Sequence, residues 1–102
     1  MKRYRVLNVD GYTFELQDET GAMGKIFLSF YDIDPPRMGE VIHLPEILFD
    51  KKANEGVVHF YFGKMSEPYG KNITQENIDE YQDEILIIER DNKRYYLKRF
   101  YG

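Results

Sequence analysis

The chain has no cysteine, which excludes disulfide frameworks, thiolate zinc sites, iron–sulfur clusters and cysteine nucleophiles. Tryptophan is also missing, and the two histidines, His43 and His59, stand at no spacing used by metal ligands. Ser29 and Ser66 are the only serines; neither lies in a G-x-S-x-G elbow, and no glycine-rich phosphate loop precedes a helix. Loop acids such as Asp32, Asp34, Asp50 and Glu55 lack the glycine-anchored calcium pattern. No catalytic residue, metal site or cofactor is therefore expected. Apolar runs reach only four residues, as in Ile85 to Ile88, far short of the roughly 20 needed to cross a bilayer. The first twelve residues carry positive charge but neither an apolar stretch nor a small-residue cleavage site, so they do not read as a signal peptide. A cytoplasmic protein with no membrane contact is expected.

What is present is a 102-residue chain, 42% hydrophobic, with nine tyrosines and seven phenylalanines. That length suits a single domain, 1–102, built on one core. The first sixty residues alternate with period two. Tyr4 to Val9 is rich in strand formers, and Asp10-Gly11 is a hairpin signal. In the next strand Tyr12, Phe14 and Leu16 share one face, with Thr13, Glu15 and Gln17 on the other. Asp18 to Gly21 turns the chain into Lys25 to Tyr31, completing a three-stranded meander. Pro35 and Pro36 then demand a loop, Glu40 to Leu44 reads as a fourth strand, and Val57 to Phe62 as a fifth.

Residues 63–72 read as a linker. Thr74 is a candidate N-cap, with Glu76 and Asp79 near the first turn and Ile73 and Ile78 spaced as a hydrophobic staple, so a helix over about 74–83 is expected. Residues 85–100 read as a closing hairpin around Asp91-Asn92-Lys93, two of which tolerate left-handed backbone. One long helix over 74–99 is the competing reading; β-branched and aromatic density favours the hairpin. The fold class is thus mostly β (α+β).

The meander, the proline loop ending in Gly39-Glu40-Val41-Ile42 and the fifth strand after a polar loop together resemble the oligonucleotide/oligosaccharide-binding (OB) barrel over residues 3–62. The resemblance implies a five-stranded partly open barrel, extended by the helix and hairpin over 73–102, with a ligand face on its second and third strands. The helix usual between strands three and four has no counterpart in the segment 32–39.

On the third strand, inward Ile26, Leu28 and Phe30 leave Lys25, Phe27, Ser29 and Tyr31 outward, and Tyr61 beside Val57 and His59 extends that surface. Rings next to a cation suit stacking on single-stranded nucleic acid; cover of the same rings by the helix or hairpin is the favoured reading, because an all-apolar strand wants cover on both faces. Cations collect at the ends: Lys2, Arg3 and Arg5, then Lys93, Arg94, Lys98 and Arg99, interleaved with aromatics. These suit a nucleic-acid surface or charged protection of edge strands. The net charge of −4 hides this division, since residues 1–5 and 93–102 carry seven cations and no acid. The expected function is a non-enzymatic binding module for a protein partner or self-association, with single-stranded nucleic-acid binding as the alternative.

Overall fold

The computed structural model describes residues 1–45, 59–65, 74, 76–81 and 84–100. Seven strands among them form one closed ring: β1 (Lys2–Asp10), β2 (Thr13–Asp18), β3 (Met23–Tyr31), β4 (Val41–Leu44), β5 (His59–Lys64), β6 (Ile85–Arg90) and β7 (Lys93–Phe100). Around the barrel the order is β1-β2-β3-β5-β7-β6-β4, and β4 returns to β1. The meander β1-β2-β3 is as expected from the alternation. Its turns use Gly11 and Gly21 at φ 60° and 91°. Asp18 braces the second turn, its Oδ1 accepting from the Thr20 amide at 2.9 Å and the Ala22 amide at 3.0 Å. The hairpin β6-β7 turns at Asp91 and Asn92, both left-handed at φ 52° and 63°, as a tight two-residue turn requires. Lys93, read as part of the turn, pairs with Arg90 inside the ladder.

Two expectations are corrected. The barrel has seven strands, because the 85–100 hairpin is built into the ring between β5 and β4 and does not stand outside a five-stranded barrel. Of the expected helix over 74–83, the described residues form a single 3-10 turn, Ile78–Tyr81, and no α-helix occurs among the described residues; positions 75, 82 and 83 lie outside them. Its cap is real: the Asn77 amide donates to Thr74 Oγ1 at 3.2 Å and the Thr74 amide to Asn77 Oδ1 at 2.7 Å. The β-branched run beginning at Ile85 prefers extended backbone, so the helical signal shrinks to the capped turn. The proposed staple residue Ile73, the start of the fifth strand at 57–58 and linker residues 66–72 lie outside the described residues.

Inward side chains fill the barrel. Tyr4, Val6, Phe14, Leu16, Ile26, Leu28, Ile42, Leu44, Phe60, Phe62, Leu86, Ile88 and Leu97 form one buried cluster. Tyr12 departs from the expected inward set and is 66% exposed. The ladder of β1 and β2 begins at Asp10 and Thr13, so Tyr12 belongs to the turn and escapes the pleat. All four residues of Ile85 to Ile88 are buried, but in two places. Leu86 and Ile88 enter the barrel, whereas Ile85 and Ile87 point outward beneath Met65, Tyr81 and Tyr96.

The proline loop is clipped to the barrel by Arg90. Its Nε and Nη2 donate to the two oxygens of Glu40, both at 2.8 Å, and its guanidinium also reaches the Asp34 and Pro35 carbonyls at 3.1 and 3.0 Å. Bidentate arginine–carboxylate geometry of this kind is among the stronger polar contacts. The Arg90 hydrogen bonds hold the Glu40 carboxyl below its ordinary range against the opposing effect of burial.

Candidate functional site

The parallel pair β3-β5 sets Phe27 beside His59, Ser29 beside Tyr61 and Tyr31 beside Gly63. Alternation turns all six to the barrel exterior. On the next strand Phe100 lies opposite Tyr61, and Lys98 opposite Gly63. Six rings thus form a continuous aromatic face. His59 and Tyr61 stack at 4.7 Å between centroids and 7° between planes, and Tyr61 continues to Tyr31 at 6.4 Å and 20°. Phe100 meets Tyr31 edge-on at 6.1 Å. At the other end Tyr12 and Phe27 lie 5.6 and 6.5 Å from the His59 ring.

Two small residues make this packing feasible. Gly63 leaves the backbone of β5 bare, and a Cβ there would run into the Phe100 ring, with Cζ only 2.9 Å away. Ser29, 8% exposed, places its hydroxyl 2.6 Å from His59 Nε2. That bond fixes the imidazole upright against Tyr61. No described carboxylate is hydrogen-bonded to this serine–histidine pair.

The expected site residues divide into groups. Phe27, Tyr31 and Tyr61 come together as the centre of the face, Lys25 lies exposed two residues before Phe27, and Lys98 borders Tyr31 and Phe100. The other cations are placed elsewhere. Lys2 lies 3.8 Å from Asp18, and Arg5 donates to the Gly39 carbonyl at 3.2 Å. Arg99 has the inward parity of Leu97 and sets its guanidinium 4.9 Å from the centre of the buried Phe60 ring. Lys93 and Arg94 sit by the β6-β7 turn, Arg94 pairing with Glu89 at 3.4 Å.

The two basic ends do not merge beside the rings, because β4 and β6 separate β1 from β7 on one side and β2, β3 and β5 on the other. Arg3 from one end and Arg94 from the other both act on Glu89. Its carboxyl is held below the ordinary range by the His43 hydrogen bond at 3.0 Å, with smaller contributions from Arg94 and Arg3. Nor does the hairpin cover the rings; it borders them with Phe100.

Sequence reasoning missed Tyr12, assigned inward, and the contribution of Phe100. It also missed the Ser29–His59 contact, which depends on parallel pairing of two strands thirty residues apart, for which no local signal exists. Among the described residues no group of three His, Asp or Glu side chains is placed to hold a metal ion, and no helix is long and apolar enough to cross a membrane. No protein-family model matches the chain, and no curated protein or solved structure is significantly similar to it.

Proposed function

We propose that this chain is a non-enzymatic binding module whose aromatic face docks a protein partner. The observation that carries the reading is the row of six neighbouring rings on a closed sheet, in which Tyr12, Tyr31 and Phe100 remain 66%, 49% and 49% exposed. Tyrosine and phenylalanine are enriched in interface cores, where they supply large contact area at low entropic cost. The strand order adds support for a relation to the OB barrel. Without the β6-β7 hairpin the ring is β4-β1-β2-β3-β5, five strands with one gap, the partly open arrangement of that fold. Here the rings occupy β3 and β5, one strand along from the face on the second and third strands that the resemblance implies.

Single-stranded nucleic acid is the second reading, favoured by Lys25 and Lys98 at the margins of the rings. Two observations count against it. His59 and Tyr61 occupy one face of each other's ring, so a base has fewer open π surfaces than on a stacking platform, and six of the seven expected terminal cations are placed away from the face. Affinity capture with wild type and with a Tyr31→Ser/Tyr61→Ser variant tests the proposal, with sedimentation to read self-association. A partner or dimer held by wild type and lost from the folded variant supports it. Unchanged association, or salt-sensitive binding of labelled oligonucleotides in its place, overturns it.

A further inference from the structure

Beyond Phe100 the aromatic face runs into a groove of about 560 Å³ between the ends of β5 and β7 and the 3-10 turn. Met65, Tyr81, Ile85 and Phe100 give it an apolar lining, which two cationic residues, Lys64 and Lys98, and one acidic residue, Glu84, complete. The cations of the barrel are unevenly committed. Arg90, Arg37 and Arg94 pair with Glu40, Asp34 and Glu89, and Arg5 is held by a backbone carbonyl. Lys64 and Lys98 form no ion pair with any described residue, nor does Lys25 at the far end of the rings. Among the described residues, Arg3 and Lys93 are also without an ion pair but lie on β1 and at the β6-β7 turn, whereas Lys25, Lys64 and Lys98 lie around the apolar surface.

We infer that the partner presents an acidic segment with an apolar side chain that anchors in this groove, its carboxylates meeting Lys64 and Lys98. The inference rests on the reading of the aromatic face as a protein-docking surface and names the chemistry of what docks there. An apolar side chain entering the groove displaces water from Met65, Tyr81 and Phe100, while the lysines draw carboxylates to the rim and set the rate of encounter. Glu84 repels acid, so the acidic residues lie toward β5 and β7 and the segment has one preferred direction. A polynucleotide brings the charge but offers no aliphatic anchor, and the peptide is favoured for that reason.

The test is fluorescence anisotropy with a labelled synthetic octapeptide alternating aspartate with leucine and phenylalanine. The same peptide with lysine for aspartate, and labelled oligothymidylate, serve as comparisons, and amide shifts map the contact. The acidic peptide is expected to bind alone of the three, to shift Met65, Ile85 and Phe100, and to weaken about tenfold or more in a folded Lys64→Glu/Lys98→Glu variant. Equal binding of the lysine peptide, preference for oligothymidylate, or no binding of the acidic peptide overturns the inference. Shifts confined to Phe27, His59 and Tyr61 overturn the groove while leaving the aromatic face intact as a docking surface; loss of both sets of shifts together with unchanged partner capture by Tyr31→Ser/Tyr61→Ser removes both.

Discussion

A methyl group on Gly63 has nowhere to go except into Phe100. The glycine φ is not in the left-handed region, so alanine meets no backbone strain, and the clash with the ring is the whole perturbation. Phe100 is 49% exposed, so its displacement forfeits only part of the roughly 1.5–3 kcal/mol available from full burial, or about 1 kcal/mol. Losing the edge contact with Tyr31 adds about 0.5–1.5 kcal/mol. Against this, alanine restricts the unfolded chain and returns about 0.4–1 kcal/mol. The net expectation for Gly63→Ala is a loss of about 1 kcal/mol, or roughly 4–8 °C in Tm for a domain of this size. The same substitution in a Phe100→Ala background is expected to be neutral or stabilising, giving a coupling of about 1–2 kcal/mol in a double-mutant cycle. Thermal and urea unfolding of the four proteins measure it. If Gly63→Ala costs as much without the Phe100 ring as with it, the assignment of Gly63 as the seat of Phe100 is wrong.

Glu40→Gln removes the charge that Arg90 grips and is expected to cost about 1.5–3 kcal/mol at pH 7, the range for hydrogen bonds to charged groups. Because the folded Glu40 carboxyl lies below its ordinary value of 4.5, its contribution is complete above that value and is lost as pH falls through the lowered folded one; the stability gap between wild type and Glu40→Gln, followed by urea titration, should therefore narrow in acid, and a gap that widens there contradicts the clip. Ile87→Ala lies outside the barrel yet within the second cluster, so chemical denaturation should reveal a core-sized loss of about 2–4 kcal/mol; a cost below about 0.5 kcal/mol would mean that nothing covers it. Asn92→Gly relieves left-handed backbone at the hairpin turn and should raise Tm slightly, by the equivalent of up to about 1 kcal/mol, whereas Asn92→Val should lower it.

The strands of the first half were legible because alternation is local and each carries its own turn signal: Gly11 and Gly21 end β1 and β2 as their positions foretold. Asp91 and Asn92 were legible for the same reason. The helix over 74–83 failed because a cap states where a helix begins and not how far it runs; Thr74 and Asn77 do cap each other, but the β-branched residues from Ile85 set the end. Strand count failed because nothing near residues 85–100 records which strands the hairpin joins. The candidate face was half legible. Phe27, Tyr31 and Tyr61 follow from pleat parity, whereas their contact with His59, Ser29 and Phe100 needs the β3-β5 and β5-β7 registers. The terminal cations misled because composition groups Lys2, Arg3 and Arg5 with Lys98 and Arg99, although the ring order sets β1 and β7 on different sides of the barrel.

The β6-β7 hairpin also dictates an order of events during synthesis. β4 and β5 each have one neighbour from the first 64 residues, β1 and β3 respectively, and obtain the second only from β6 and β7. A chain emerging from the ribosome therefore carries two open strand edges until residue 100 is clear of the exit tunnel. Such edges template pairing with other chains. The last stretch of the ring is in this sense a latch, and a premature stop before it would leave a nascent sheet more prone to aggregate than to bind.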